Sequence, residues 1–301
     1  MTTLGGCGTA LVTPFRPDGT VDVEALRKLV LWQIEEGIDF LVPCGSTGEA
    51  VTLAPAEREL VVGTVVDTVA GRLPVMAGAT HNDTRQAVEE ARRMSALGVT
   101  WLLSATPYYN KPTPEGLYRH FLAVADASSV PVCLYNVPGR TSVNMRPDTV
   151  LRLASHPNIV GIKESSGDLA QVQHLLLGRP EGFAVLSGED WMTLAIIAAG
   201  GDGLVSVASN EIPKLMSQLV RRCLRGQVEQ AREILYQVLP LLEANFIETN
   251  PAPVKAALAA MGRIQNQLRL PLVPLSESRR PPLLAALREA GVEPVLEMAL
   301  T

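Results

Sequence analysis

Eight short apolar runs, each followed by a longer amphipathic stretch, most tightly constrain what this chain can fold into. The runs fall at 8–12, 40–44, 75–78, 101–105, 132–135, 159–163, 183–187 and 204–207. Between them, helical periodicity begins behind recognisable start signals: Asp22 before 23–36, Pro55 before 56–70 and Asp83 before 84–97, with further helices at 115–127, 146–154, 168–177 and 190–199. Strand then helix, repeated eight times with right-handed crossovers, predicts an α/β fold of the (β/α)8 TIM-barrel type. The rival is an open doubly wound sheet, which commonly carries a glycine-rich phosphate loop after its first strand. Here Thr9-Ala10-Leu11-Val12-Thr13-Pro14-Phe15 stands in that place.

The chain continues after the eighth strand. Helical character at 213–225, 227–246, 253–261 and 282–290 adds a helical extension, punctuated by Asn250-Pro251-Ala252-Pro253 and Leu270-Pro271-Leu272-Val273-Pro274. We therefore expect a barrel over 1–225 that carries the active site and a C-terminal helical region over 226–301. At 301 residues with a net charge of -5, the chain lacks the concentrated positive charge that nucleic acid or an anionic membrane surface would require. Cys7, Cys44, Cys133 and Cys223 have neither metal-ligand nor disulfide-framework spacing and read as buried small hydrophobes in a reducing compartment. No basic segment with an apolar run opens the chain, and the expected location is the cytoplasm.

In a parallel barrel the reactive groups sit at the C-terminal ends of the strands. Strand six, Ile159-Val160-Gly161-Ile162-Lys163, ends in a lysine. An ammonium at the end of a strand buried on both faces must find an anion or lose its proton, and a neutral amine there is a nucleophile able to form an imine. The competing reading pairs Lys163 with Glu164 or Asp168 as a structural ion pair. Strand two leads into Gly45-Ser46-Thr47-Gly48-Glu49, either a carboxylate-holding turn of hydroxyls and free N–H groups or an ordinary polar turn. Strand four leads into Tyr108 and Tyr109, which suit either catalysis or a subunit interface, and strand five ends at Tyr135 with Arg140 just beyond. The guanidinium fits a second carboxylate or a brace on its own loop. Glycines Gly188 and Gly203 after strand seven and on strand eight let backbone carbonyls approach a ligand. His81, His120, His156 and His174 fall away from the strand ends, so neither a metal site nor a histidine base is indicated. Taken as a set, lysine, phenol, hydroxyl and arginine at one end of a barrel read as a Schiff-base aldolase or dehydratase.

These residues resemble the dihydrodipicolinate synthase family, within the pyruvate-dependent lysine aldolases. The resemblance rests on the segments containing Thr13, Ser46, Tyr109, Tyr135, Arg140 and Lys163, and on Glu248-Thr249-Asn250-Pro251-Ala252-Pro253-Val254-Lys255 near the end. It implies condensation of pyruvate with aspartate 4-semialdehyde, the first committed step of the diaminopimelate route to lysine, with no cofactor. Lys163 would carry the pyruvate imine, and Tyr135 would move protons through Ser46 to a Tyr109 supplied by a neighbouring subunit of a homotetramer. Ser46 and Thr47 would hold the pyruvate carboxylate, Arg140 the semialdehyde carboxylate, and the carbonyls of Gly188 and Val205 would line the pocket.

Two departures from the family pattern stand out. Ser46 replaces the usual threonine, keeping the hydroxyl without the rotamer-stiffening methyl. Tyr108 and Asn82 match the family's lysine feedback site, but Gln86 replaces a glutamate, and Pro55 and Arg58 stand where histidines are common. The expectation is weak or absent inhibition by lysine. The alternatives are a relative that takes another aldehyde or a keto-sugar acid, and a barrel that has lost catalysis and serves as a sensor.

Overall fold

The computed structural model describes residues 3–295. Eight parallel strands form one sheet in the order β2-β1-β8-β7-β6-β5-β4-β3. They are β1 (Gly6–Ala10), β2 (Phe40–Val42), β3 (Met76–Gly78), β4 (Trp101–Ala105), β5 (Val132–Asn136), β6 (Ile159–Glu164), β7 (Ala184–Ser187) and β8 (Gly203–Ser206). A parallel bridge between Leu41 and Val75 brings β2 back beside the start of β3, so the sheet curls into the expected barrel. Strand β4 spans the residues read from the sequence. Strand β1 lies two residues earlier than expected: Leu11 makes the last bond to β2, through the Val42 carbonyl at 3.1 Å, and the Val12 N–H turns to the Asn210 side chain at 3.1 Å.

The helices outside the barrel are α1 (Val23–Glu35), α2 (Pro55–Val69), α3 (Thr84–Ser95), α4 (Pro114–Ala127), a single turn α5 (Pro138–Thr141), α6 (Pro147–Leu153), α7 (Leu169–Gly178), α8 (Thr193–Ala198) and α9 (Pro213–Leu224). Asp22, Asp83, Thr113 and Asp168 cap α1, α3, α4 and α7 by accepting from backbone N–H groups of the first turn. Beyond them run α10 (Val228–Ala244), α11 (Ala252–Ala260) and α12 (Arg280–Glu289), with α10 against α9 and α12. Among the described residues no helix is long and apolar enough to cross a membrane.

Side chains alternate between two apolar layers. Leu134 and Ile162 point outward into the large cluster beneath the helices, while Phe40, Trp101, Leu103, Tyr135 and Leu186 fill the barrel interior. This alternation aims Lys163, the residue after Ile162, into the barrel.

Candidate active site

Lys163 and Tyr135 are register partners across β6 and β5. Both are buried, and the Lys163 Nζ lies 4.2 Å from the centre of the Tyr135 ring. Neither carboxylate proposed as a structural partner reaches the lysine. Glu164 points to the opposite face, where it accepts from the Asn136 side chain at 3.1 Å and the Ser166 N–H at 2.6 Å, and Asp168 caps α7 through the Gln171 N–H at 3.0 Å. Among the described residues Lys163 has no ion pair and its Nζ no hydrogen bond. The buried-ion-pair reading of Lys163 therefore fails on geometry.

The anions nearest in influence are on the loop after β7. Burial pushes the Glu189 carboxyl up to about 7, against the attraction of Lys163, with neighbouring Asp190 adding to the rise. Burial also raises Asp190, one of whose oxygens accepts from the N–H groups of Val207 and Ala208 at 3.1 and 3.0 Å. Gly188, just before them, must be glycine: an added Cβ would fall 2.8 Å from Lys163 Cε and 1.9 Å from Ser165 Oγ. The space its side chain would need is taken by the Ser165 hydroxyl and the lysine stem.

Tyr135 forms part of the wall of a cavity of about 450 Å³ at the C-terminal mouth of the barrel, together with Ser46, Tyr108, Arg140, Asn250 and Leu272. The other expected residues, Lys163 among them, are not part of that wall. Thr47 is buried, and its hydroxyl accepts from the Asn250 side chain at 2.9 Å. Gly188 sits against Lys163, and Val205 is buried within the barrel interior; neither lines this cavity. Tyr109 is 88 % exposed and its ring leaves the cavity of its own chain. Among the described residues the hydroxyls of Tyr135 and Ser46 make no hydrogen bond to each other or to Tyr109, so the relay is not joined within one chain.

Left-handed backbone at non-glycine residues is concentrated here. Cys44 (φ 57°) and Glu49 (φ 54°) bracket the Gly45-Ser46-Thr47-Gly48 turn, and Tyr109 (φ 73°) and Lys111 (φ 46°) shape the loop after β4. Each such residue costs on the order of 1–3 kcal/mol, which surrounding contacts must offset. Gly78 on β3 makes room for the first of these turns, since a Cβ there would meet the Cys44 carbonyl oxygen at 1.9 Å.

Three contacts beside the site were not anticipated from sequence. Asn250 bridges two arms of the site, donating from its side chain to Thr47 while its carbonyl accepts from Arg140 Nη2 at 3.1 Å. Lys255 on α11 is fully buried and ion-paired with Glu49; burial pulls its ammonium down to about 8 while Glu49 opposes the change. Arg269 donates its backbone N–H to Glu49 at 3.1 Å and clamps Glu57 with its guanidinium. An isolated lysine inside Pro253-Val254-Lys255-Ala256-Ala257-Leu258 was the available signal, since a cation on an all-apolar helix needs a buried anion.

A parallel (β/α)8 barrel that brings a buried lysine, unpaired among the described residues, beside a phenol near the C-terminal ends of neighbouring strands has the make-up of an aldolase-type lyase. Comparison with known proteins narrows the class. The model of the dihydrodipicolinate synthetase family matches residues 3–290, and the chain belongs to that family. It is 54 % identical over 290 residues to the 4-hydroxy-tetrahydrodipicolinate synthase of Koribacter versatilis, covering 96 % of this chain and 97 % of that one. The enzyme of the same name from Acidobacterium capsulatum is 54 % identical over 291 residues, 96 % of each chain. Among solved structures, the chloride-inhibited dihydrodipicolinate synthase of Acinetobacter baumannii complexed with pyruvate superposes with a TM-score of 0.95 at 43 % identity, over 96 % of this chain and 100 % of that one.

Proposed function

We propose that this chain condenses pyruvate with L-aspartate 4-semialdehyde to give 4-hydroxy-tetrahydrodipicolinate in lysine and diaminopimelate biosynthesis. The observation that carries this reading is the Lys163–Tyr135 register pair, an amine that has no anionic partner among the described residues and lies beside a phenol in the barrel mouth. The names of the relatives and the pyruvate complex of the Acinetobacter baumannii enzyme support the choice of substrates.

In the proposed sequence the Lys163 amine attacks the pyruvate carbonyl carbon, and the resulting carbinolamine loses water to form the imine. Removal of a methyl proton gives the enamine, whose carbon adds to the aldehyde of the semialdehyde while the aldehyde oxygen takes up a proton. The amino group of the bound semialdehyde then attacks the imine carbon, the ring closes, and the Lys163 amine leaves free. Tyr135 delivers and receives the protons, a contribution of about 10²–10⁴-fold for a positioned acid and base. Ser46 extends the relay toward Tyr109 of a second copy in a homotetramer, a reading supported by the exposure of Tyr109 at 88 % and of Val51 at 76 % near the same cavity. Ser46 and Thr47 hold the pyruvate carboxylate, Arg140 holds that of the semialdehyde, and the backbone carbonyls of Gly188 and Val205 face the substrate near Lys163. Four buried free cysteines support a reducing, cytoplasmic setting.

A substrate panel tests the assignment. Purified protein should turn over pyruvate with aspartate semialdehyde far faster than pyruvate with other aldehydes, and should leave keto-sugar acids intact. Preferential cleavage of a keto-sugar acid would move the chain to another activity of the same superfamily.

A further inference from the structure

The turn that carries Ser46 and Thr47 is held from the C-terminal region at two points. Glu49 closes that turn in a left-handed conformation with φ 54°, and its carboxylate is fully buried. One oxygen is bonded to Lys255 of α11, and the other accepts the Arg269 N–H at 3.1 Å. Lys255 is itself fixed: its Nζ donates to the Gln267 carbonyl at 2.8 Å and rests 4.2 Å from the centre of the Phe15 ring. The second tether is Asn250, two positions before α11, on the Thr47 hydroxyl. On the barrel side, the Thr13 hydroxyl donates to the Gly48 carbonyl at 2.7 Å.

A fully buried ion pair gives little net stability, because desolvation of both charges offsets their attraction. What this pair does supply is direction: a carboxylate bonded at both oxygens fixes the side chain, and with it the unusual backbone, of the residue that ends the turn. Neither Lys255 nor Glu49 has a part in the proposed proton transfers. We propose that Lys255 and Glu49 are positioning residues, whose buried pair holds the Ser46–Thr47 turn in the shape that receives the pyruvate carboxylate. The C-terminal helices thus set the affinity for the first substrate, and this inference rests on the function proposed above.

The test uses the full chain with both charges removed together, Glu49→Gln with Lys255→Met, which avoids leaving one buried charge unpaired. Borohydride trapping of the Lys163 adduct is measured against pyruvate concentration, alongside KM for each substrate and a thermal melt. The double variant is expected to melt near the parent, to need at least about tenfold more pyruvate for half-maximal trapping, and to keep its KM for the semialdehyde within about twofold. A folded double variant that traps at the parental pyruvate concentration overturns the inference and leaves the pair a purely structural one. Should the double variant not fold, Glu49→Asp keeps the charges but shortens the reach by one methylene; a severalfold weaker half-saturation supports the inference, and an unchanged one overturns it. Absence of any adduct in the parent would instead strike the proposed function, which separates the two failures.

Discussion

Lys163 and Tyr135 face each other across adjacent strands, with the lysine nitrogen 4.2 Å from the centre of the phenol ring and, among the described residues, no carboxylate in contact with it. Sheet register sets this relationship directly, since the two residues are paired in the β5–β6 ladder and alternation sends both into the barrel. The proposed proton transfer by Tyr135 rests on this pairing.

Replacing the phenol should therefore impair chemistry and spare the fold. Tyr135→Phe retains the buried ring and its packing, so its melting temperature should stay close to the parent's. Its kcat should fall by about 10²–10⁴-fold. Steady-state kinetics with a thermal melt check both; a variant that keeps parental kcat would remove Tyr135 from the proton path.

Arg140 is exposed on the single-turn helix α5 and reaches the Asn250 carbonyl. Arg140→Ala should raise KM for the semialdehyde by about tenfold or more, as expected for loss of a charged hydrogen-bonding partner. Pyruvate trapping on Lys163 should be unaffected. Equal losses for both substrates would mean that the arginine braces its loop and holds no carboxylate.

How far the sequence specified the molecule can be judged from individual residues. The barrel was legible because strand and helix periods alternate within short windows, and Lys163 stood out because a cation closes an apolar strand. Lys255 carried a comparable signal, but its partner Glu49 lies 206 positions away, and Asn250 is 203 positions from Thr47. Local patterning has no access to pairings that only the closed barrel brings together. The end of β1 was misplaced for the same reason: Asn210, which takes the Val12 N–H, comes from beyond the last strand. The turn α5, which presents Arg140, is not legible as a helix from sequence because its 4 residues are too few to show a period.

His120 gives a pH prediction. Buried on α4 with Nδ1 3.0 Å from the Thr84 hydroxyl, it is pulled down to about 4 by burial and, to a lesser degree, by His81. Its folded value lies below its unfolded one, so the unfolded chain binds more protons between these values and stability is lost as pH falls from about 6.5 to about 4. The loss is bounded at roughly 3 kcal/mol. Chemical denaturation across this range should show a shallower decline for His120→Gln than for the parent; parallel declines would remove His120 as the source.

Lysine should inhibit weakly or not at all. Arg58, one of the departures from the expected feedback-site pattern, is bound to the carbonyls of Ala50 and Leu53 and paired with buried Glu90 at 3.1 Å, a fixed cation that disfavours a lysine ammonium beside it. Half-inhibition by submillimolar lysine in a standard assay would contradict this.

The most direct test of the central claim is reductive trapping. The protein is incubated with pyruvate, reduced with borohydride and mapped by peptide mass spectrometry, with and without subsequent addition of aspartate semialdehyde. The predicted result is a single adduct on Lys163 that the semialdehyde discharges as cyclic product accumulates. Absence of an adduct on Lys163, in protein shown to be folded, would contradict the imine mechanism and with it the proposed function.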